Sequence, residues 1–304
     1  MKSTPRAVEP ACRTCGSRQV IEVGALPEAF RFAGVIYESP FLGGSLWRCQ
    51  ECHLSFRHPL LPDYETLYMR GTSDVWDTDG DRKDFDLVRA HIVNSGADKD
   101  VLDIGCYTGR LLASLPDAYR VYGVEMNQAA ASVAQSRGIR IVAQSFDELR
   151  EIDAHFDIIT ACDVIEHVPN PLKLLETLRR RLRDGGQLIV TTGDADGWLW
   201  RVAGSSYWYC YYPEHISFVG RKWFERVAAS AGFRLAEATR FNYQGWRWFH
   251  PMTSMSLIGA WLYAISPRGF RSLHAAVSRR GVEHFNPPGC GATKDHLLCV
   301  LSAV

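Results

Sequence analysis

The chain has 304 residues and a mass of 34.2 kDa, and 46% of its residues are apolar and 22% charged. This composition supports a sizeable buried core and excludes a disordered, collagen-like or coiled-coil protein. The 34 basic and 34 acidic residues cancel and the pI is about 7.1, so no basic field exists that would attract nucleic acid non-specifically.

The first ten residues lack the apolar stretch of a signal peptide. The longest apolar run, residues 255–265, is shorter than the ~20 residues that cross a bilayer. We therefore expect a cytoplasmic protein whose nine cysteines are reduced.

The first region, residues 1–70, contains two Cys-x-x-Cys pairs, Cys12/Cys15 and Cys49/Cys52. Four thiolates suit the tetrahedral coordination of Zn²⁺, and full thiolate ligation leaves no position open for catalysis. The pattern therefore predicts a structural zinc site in a small ribbon-like subdomain, although the 33-residue gap between the pairs exceeds the usual ribbon spacing. Two alternatives are reduced structural cysteines without metal and a c-type haem at Cys49-x-x-Cys52-His53, which would need an exported protein.

The second region, residues 84–240, alternates short apolar runs with helical patterns, which is typical of βαβ units around a parallel sheet. Strands are predicted at 101–104, 121–125, 139–142, 156–160, 187–192 and 234–239, and helices at 109–115, 128–135 and 221–231. A further helix should begin at the N-cap Asn170, with Pro171 in its first turn, and end at the sequence Asp184-Gly185-Gly186. The fold class is therefore α/β.

A glycine-containing turn, Asp103-Ile-Gly105-Cys-Tyr-Thr-Gly109, closes the first of these strands and opens a helix. Glu125 ends the next strand, where an acidic residue of a doubly wound sheet accepts hydrogen bonds from two ribose hydroxyls. A nicotinamide site would carry a second glycine where this chain has Tyr107. The carboxylate of Asp103, just before the turn, suits a ligand with an amino group better than a pyrophosphate.

Four blocks in this region resemble the class I S-adenosylmethionine-dependent methyltransferases. They are Val101-Leu-Asp-Ile-Gly-Cys-Tyr-Thr-Gly-Arg110, Gly123-Val-Glu125, Phe156-Asp-Ile-Ile-Thr-Ala-Cys-Asp-Val-Ile-Glu-His-Val-Pro-Asn170 and Leu182-Arg-Asp-Gly-Gly-Gln-Leu-Ile-Val190. The resemblance implies a Rossmann-like seven-stranded sheet, S-adenosylmethionine as cofactor and transfer of a methyl group.

The resemblance also implies the cofactor-binding residues. The methionine end would be held by Asp103, Asp163 and the turn that contains Gly105, Cys106, Tyr107 and Gly109, whereas the ribose and adenine would be held by Glu125, Met126 and Asp147. Tyr107 departs from the family, in which most members have glycine at this position. His167 recurs as part of the Asp-Val-Ile-Glu-His-Val block, which favours a role in the wall of the site over proton transfer.

The combination of a cysteine-rich N-terminal region with this domain resembles the bacterial zinc-containing methyltransferases of sugars and related metabolites. The sugar C-methyltransferases among them carry a Tyr-x-Glu-His stretch followed by Ser, and this chain has Tyr212-Pro-Glu-His-Ile-Ser217. Tyr212, Glu214 and His215 are therefore the catalytic candidates, with His215 as the base, Glu214 as its charge partner and Tyr212 on a substrate oxygen. Those enzymes continue into a further α/β domain, which we do not expect in this chain, and this expectation weakens the interpretation as a C-methyltransferase.

The third region, residues 241–304, is aromatic and irregular and ends in a strand-like run at 297–301. Seven of the nine tryptophans lie between residues 198 and 261. We interpret these aromatic segments as an acceptor pocket and a C-terminal extension or lid. The alternatives are core packing and a peripheral contact with a membrane surface beside a lipid-linked acceptor.

The sequence therefore predicts a cytoplasmic methyltransferase of sugar metabolism that modifies a hydroxyl of a small, sugar-like molecule and has no nucleic-acid partner. A sugar C-methyltransferase, a nicotinamide-dependent oxidoreductase and a non-catalytic zinc-ribbon binding module are the alternatives.

Overall fold

The computed structural model describes residues 10–41, 43–61, 64–69, 82–242, 258–259, 261–278 and 294–304. Within these residues no helix is both long and apolar enough to cross a membrane.

The main sheet has seven strands: β6 (Asp100–Ile104), β7 (Arg120–Val124), β8 (Arg140–Ala143), β9 (Phe156–Cys162), β10 (Leu182–Gly193), β12 (Phe233–Phe241) and β13 (His296–Ala303). Their order across the sheet is β12-β13-β10-β9-β6-β7-β8. The five strands from β6 to β10 run parallel, whereas β13 is antiparallel to both β10 and β12. The strand order reverses between β6 and β9, which places the ligand site at the carboxyl ends of the strands.

Helices cover both faces of this sheet: α2 (Lys83–Asn94), α3 (Arg110–Ala113), α4 (Gln128–Ser136), α5 (Phe146–Glu151), α6 (Pro171–Arg181) and α8 (Arg221–Val227). Strand residues alternate between two cores because successive side chains point to opposite faces. Leu102 and Ile159 join the core that contains α6 and α8, whereas Val101 and Ile158 join the core that contains α2, α3 and α4. The α/β class and the seven-stranded sheet predicted from the sequence are confirmed.

The cysteine pairs lie beside a second sheet, in the order β1 (Val20–Ala25), β4 (Ser45–Cys49), β5 (Ser55–His58) and β11 (Ser217–Phe218). Between β1 and β4 the chain forms a separate hairpin of β2 (Ala29–Phe32) and β3 (Val35–Phe41). The hairpin accounts for the long gap between the cysteine pairs. Three further helices are α1 (Tyr64–Met69), α7 (Trp198–Ala203) and α9 (Pro267–Ser278).

The cysteine-bearing sheet takes its last strand, β11, from the second region of the sequence. Cys12, Cys49 and Cys52 belong to the same buried core as Leu102 and Ile159 of the main sheet. The two sheets therefore share one hydrophobic core.

Arg57 of β5 is fully buried and binds the backbone on both sides of this junction. Its Nη1 donates to the carbonyl of Gly43 at 2.7 Å. Its other nitrogens donate to the carbonyls of Cys210 (2.8 Å), Tyr212 (3.1 Å) and His215 (3.2 Å). The guanidinium therefore holds the segment 210–215 against the N-terminal sheet.

The predicted end of the helix at Asp184-Gly185-Gly186 is wrong. The helix α6 begins at Pro171, with Asn170 as its N-cap, but it ends at Arg181, and Leu182 already pairs with Phe156 of β9. The register of β10 against β9 shifts between Leu182 and Gln187, and Gly185 has a φ of +74° inside this shift. The two glycines thus form an irregularity within a strand and not a helix C-terminus.

We expect Arg57→Met to lower the free energy of unfolding by about 3–5 kcal/mol, because it removes a buried cation and leaves buried carbonyls unpaired. Urea unfolding followed by circular dichroism measures this change. The matched control is Arg221→Met, at an exposed arginine that pairs with Glu225 one turn along α8, which should leave the free energy of unfolding nearly unchanged. Equal costs for the two variants would contradict the role of Arg57.

Candidate active site

The glycine-containing turn after β6 has the backbone shape that its sequence predicts. Gly105 and Gly109 have φ values of +68° and +77°, in the left-handed region that favours glycine. A Cβ at Gly109 would collide with the side chain of Ile139. Tyr107 also lies in this region, with a φ of +51°. The departure at Tyr107 therefore keeps the backbone conformation that a glycine would adopt.

Glu125 lies at the end of β7 with its carboxylate buried beside this turn. One oxygen accepts from the backbone N–H of Tyr107 at 2.9 Å and the other from that of Asn127 at 2.7 Å. A carboxylate has about four acceptor positions, so each oxygen retains capacity for a further hydrogen bond. This arrangement fits two ribose hydroxyls. Met126 follows and is exposed at this edge of the sheet.

Asp103 is buried inside β6 and accepts a hydrogen bond from the hydroxyl of Thr160 at 2.6 Å. Burial raises the pKa of Asp103 to about 7, in spite of this hydrogen bond and the nearby charge of Arg82. A ligand that brings a positive charge would favour the ionised carboxylate.

Asp163 follows β9 with a φ of +53° and forms an ion pair with Arg82, with 2.8 Å between Oδ2 and Nη2. The same guanidinium binds Asp84 at 2.5 Å. Arg82, just before α2, thus brings a cation to the methionine side of the predicted site. Sequence reasoning missed Arg82, because no motif marks an arginine whose partner is 81 positions away.

Two further candidates lie in different settings. Cys106 is buried, and a Cβ on Gly123 would collide with its sulfur, so Cys106 supports the packing of β7 beneath the turn. Asp147 is in the first turn of α5, where its exposed carboxylate forms an ion pair with Arg150. Its contact with adenine stays a prediction.

Tyr212, Glu214 and His215 lie in a turn that brings them to the same edge of the main sheet, next to Glu166 and His167. The backbone N–H of His215 donates to the carbonyl of Tyr212 at 3.1 Å, which closes the turn. The rings of His167 and His215 are 4.9 Å apart. The structure therefore brings the two sequence motifs that contain histidine together.

Hydrogen bonds to the backbone fix the tautomers of both histidines. Nδ1 of His215 lies 3.0 Å from the carbonyl of Tyr209, and Nδ1 of His167 lies 3.0 Å from the carbonyl of Glu214. Since a carbonyl only accepts, Nδ1 carries the proton in each ring, and Nε2 of the neutral ring is the basic nitrogen. Burial keeps the pKa of His215 well below its usual value, and burial also lowers the pKa of His167.

Glu166 is a buried carboxyl group that sequence reasoning left without a role. It accepts hydrogen bonds from the hydroxyls of Thr192, at 3.0 Å, and of Tyr209. One of its oxygens lies within 4.8 Å of a ring nitrogen of each histidine. Burial, followed by the charge of Asp163, raises the pKa of Glu166 to about 7. The sequence signal that could have pointed to Glu166 was its position directly before His167.

The interpretation of the aromatic segment as an acceptor pocket is wrong for part of the segment. Trp200 is buried and stacks on Tyr207, with 4.7 Å between ring centroids, in a core that also contains Leu46 and Phe218. Trp246, Trp248 and Phe249 lie outside the described residues. Tyr212, which lies within the described part, has a partly exposed side chain whose ring is 5.4 Å from that of His215. Tyr212 therefore remains a candidate for contact with the acceptor.

Comparison with known proteins identifies the domain. A family model described as a methyltransferase domain matches residues 81–238, which is just over half of the chain. The chain belongs to this methyltransferase family. It is an S-adenosylmethionine-dependent methyltransferase, and the resemblance to the class I enzymes is confirmed.

Individual relatives are distant. The chain is 28% identical over 158 residues to a ubiquinone biosynthesis O-methyltransferase of Coxiella burnetii, over 48% of this chain and 68% of the relative. It is also 28% identical to the enzyme of that name from Pseudomonas aeruginosa, over 49% of this chain and 70% of that relative. Among solved structures, the N-methyltransferase NodS of Bradyrhizobium japonicum is 15% identical, with a TM-score of 0.48 over 79% of this chain and 97% of that one.

The residues at the turn fit the cofactor of this methyltransferase. Glu125 retains acceptor capacity for the ribose hydroxyls, and the buried Asp103 would be stabilised in its ionised form by the amino group of the methionine end. These assignments of individual residues to parts of the cofactor stay predictions.

The four predicted zinc ligands come together in the structure. The sulfur atoms of Cys12, Cys15, Cys49 and Cys52 all lie within 4.8 Å of one another. Cys12 and Cys52 are 3.5 Å apart, as are Cys15 and Cys49. A tetrahedral site with Zn–S bonds of about 2.3 Å has sulfur–sulfur edges of roughly 3.8 Å, so the cluster has the size that Zn²⁺ requires.

The titration of Asp103 predicts the pH dependence of cofactor affinity. Its pKa in the folded protein, about 7, lies far above the ordinary value of 3.8, so the carboxyl takes up a proton as the pH falls from 8 to 6. Because a positively charged ligand favours the carboxylate, affinity should rise with pH up to about 7 and then level off, changing several-fold between pH 6 and pH 8.

Calorimetric titration with S-adenosylmethionine at each pH measures this slope. Asp103→Asn should bind more weakly and lose the slope. Asp147→Asn, at the exposed carboxylate that pairs with Arg150, should keep it. A slope that survives in Asp103→Asn would rule out Asp103 as the titrating group.

Proposed function

We propose that this methyltransferase acts on a hydroxyl of a small, sugar-like metabolite, with His215 as the base that removes the hydroxyl proton. The observation that carries the proposal is the fixed tautomer of His215. Its Nδ1 donates to the carbonyl of Tyr209, so its basic Nε2 is available for a proton at the edge of the sheet where the cofactor turn lies.

The cofactor, when bound, supplies a methyl group activated by a positively charged sulfur. The acceptor oxygen forms the new bond to the methyl carbon, while the bond from that carbon to sulfur breaks and its electron pair stays on sulfur. The hydroxyl proton passes to Nε2 of His215. An alcohol is a poor nucleophile at neutral pH, so removal of this proton accelerates the reaction.

The surroundings of His215 suit this role. Burial keeps the imidazole neutral at pH 7, since its pKa is held well below the usual value. The protonated ring that forms during the reaction would lie beside Glu166, and the ionised form of that carboxyl group, whose pKa is about 7, would offset the cost of a buried cation. The carboxyl group of Glu214 is buried, which raises its pKa, and the histidine whose charge acts on it is His167, so the role of Glu214 as the charge partner of His215 stays a prediction. Its carbonyl, meanwhile, accepts hydrogen bonds from His167 and Tyr64.

Tyr212 would donate a hydrogen bond to a second oxygen of the acceptor. Burial and then the charge of Glu214 raise the pKa of Tyr212 to about 12, so its hydroxyl keeps its proton at neutral pH. A base and a donor side by side fit a molecule with neighbouring oxygens, such as a sugar. The Tyr-x-Glu-His-x-Ser stretch, which resembles that of sugar C-methyltransferases, supports a sugar acceptor. The name O-methyltransferase carried by distant relatives supports a hydroxyl as the methylated group.

The experiment is a radiolabelled methyl-transfer assay over hydroxylated sugars and keto sugars, with the position of the label mapped by mass spectrometry. We expect label on oxygen. Label on a carbon next to a keto group would overturn the proposal in favour of a sugar C-methyltransferase.

In this assay, His215→Ala should lower turnover by ~10²-fold, the usual scale of acid–base catalysis, while the affinity for S-adenosylmethionine stays within a few-fold. His155→Ala, at an exposed histidine before β9, is the matched control and should leave both values unchanged. Unchanged turnover in His215→Ala would exclude His215 from the mechanism.

The proposal also assigns a structural Zn²⁺ to Cys12, Cys15, Cys49 and Cys52. Metal analysis of the purified protein should find about one zinc per chain, and Cys12→Ser combined with Cys49→Ser should abolish it. Cys299→Ala, at a buried cysteine in β13 of the main sheet, should retain the metal. Haem absorbance or a metal-free wild-type protein would exclude this assignment.

A further inference from the structure

The C-terminal region presents an apolar surface that faces solvent. Six large apolar side chains of helical residues 258–259 and 261–265 and of α9 are between 44% and 76% exposed: Ile258, Trp261, Leu262, Ile265, Leu273 and Val277. The first four are spaced three and four residues apart, which places them on one side of a helix, and the last two are one turn apart on α9. We call these six side chains the outer face.

The opposite side of this segment is docked onto the protein. Tyr263 is buried in a cluster with Ala29 and Tyr211, and its ring contacts that of Phe270. Arg271 donates to the carbonyl of Glu28 at 3.0 Å. In helical residues 258–259 and 261–265 the side that carries Tyr263 therefore packs against the protein, and the four exposed apolar side chains lie on the other side. The two exposed apolar side chains of α9, which has no buried residue, add to the apolar surface.

The charge of the segment is strongly biased. Between Phe241 and Glu283 the sequence contains five arginines and no acidic residue, in a chain whose formal net charge is zero. Arg268, at the start of α9, has a side chain that is 84% exposed. Arg268 and Arg271 both pair with Glu28, so one acidic side chain outside the segment offsets part of this charge, and the segment keeps a surplus of arginines in its sequence beside the exposed apolar side chains.

We propose that the outer face binds the surface of an anionic phospholipid membrane. Apolar side chains on one side of a helix bury themselves at the boundary of headgroups and acyl chains, where tryptophan is enriched. Arginines nearby are attracted by anionic headgroups. A symmetric contact with a second copy of the chain would instead bring two arginine-rich segments together, and like charges oppose such an interface.

The segment that carries the outer face lies beside the candidate acceptor side. Tyr263 packs in the cluster that contains Tyr211 and against which Tyr212 packs, so the inner side of the segment borders the candidate acceptor side. A membrane on the outer face would lie close to the site at which a lipid-anchored acceptor is modified. Only this point rests on the proposed function, and membrane binding itself is independent of the acceptor.

The test is co-sedimentation of the full-length protein with vesicles of equal parts phosphatidylglycerol and phosphatidylethanolamine, compared with phosphatidylcholine vesicles. We expect binding to the anionic vesicles that is at least tenfold stronger and weakens as salt is raised. Arg268→Gln should weaken it about fivefold. Trp261→Ser combined with Ile265→Ser should weaken it by about tenfold or more.

The matched control is Trp198→Ser combined with Val202→Ser, which removes two exposed apolar side chains from α7 and should leave vesicle binding unchanged. Each variant is checked by circular dichroism and by its affinity for S-adenosylmethionine, which should equal that of the wild type. Failure of the proposed function, seen in the transfer assay, is thereby distinguished from failure of membrane binding.

Two results would overturn the proposal. One is wild-type protein that stays in the supernatant with anionic vesicles at low salt. The other is a dimer, seen by light scattering, that Trp261→Ser with Ile265→Ser converts to a monomer without altering sedimentation, which would make the outer face an interface between two copies.

Discussion

The acceptor side of this methyltransferase depends on one buried guanidinium. Arg57 donates hydrogen bonds to the carbonyls of Tyr212 and His215, whose side chains are the catalytic candidates, and to that of Gly43 in the N-terminal region. Because a buried arginine without acceptors is very costly, the turn and the sheet hold each other in place. The position of the proposed base is therefore set by a residue that the methyltransferase domain itself does not contain.

The cysteine cluster is connected to the candidate active site through the strand that carries Arg57. Cys52 precedes β5, which carries Arg57, by only a few residues, and Cys49 and Cys52 are packed in the core of the main sheet. A metal ion that fixes the four sulfurs would also fix the strand from which the guanidinium reaches the catalytic turn. The metal would then act on catalysis through position, although all four of its coordination sites are taken by sulfur.

The site concentrates buried carboxyl groups. Burial raises the pKa values of Asp103 and Glu166 to about 7 and also raises those of Glu125 and Glu214. Arg82 is paired with Asp84 and Asp163. Such a cluster is destabilising in the free protein and favours a ligand with positive charge, as S-adenosylmethionine has at its amino group and its sulfur. The same buried carboxyl groups therefore destabilise the free protein and favour the binding of a positively charged cofactor.

Local sequence patterns predicted the main sheet because its parallel strands are nearly continuous apolar runs, and the turn at Gly105 because glycine is favoured where φ is positive. The spacing of the cysteines was enough to group them. Local sequence patterns could not reveal β11, a two-residue strand whose partner is far away in the chain. They also could not reveal the ion pair of Arg82 with Asp163, for the same reason. The glycine pair at 185–186 misled because the same residues end helices and form irregularities in strands.

Part of the structure beside the catalytic candidates lies outside the family domain, although Tyr212, Glu214 and His215 themselves lie inside it. The matched residues are 81–238, whereas the hairpin that contains Ala29 and the segment that contains Tyr263 come from either side of this range, and both pack against Tyr211. Glu28, next to the hairpin, also binds Arg271 of α9. Two additions to a common methyltransferase core thus meet at the acceptor side. The residues predicted to hold the methyl donor and the catalytic candidates thus lie inside the matched domain, whereas the hairpin and the segment around Tyr263, which pack against the neighbouring Tyr211, lie outside it.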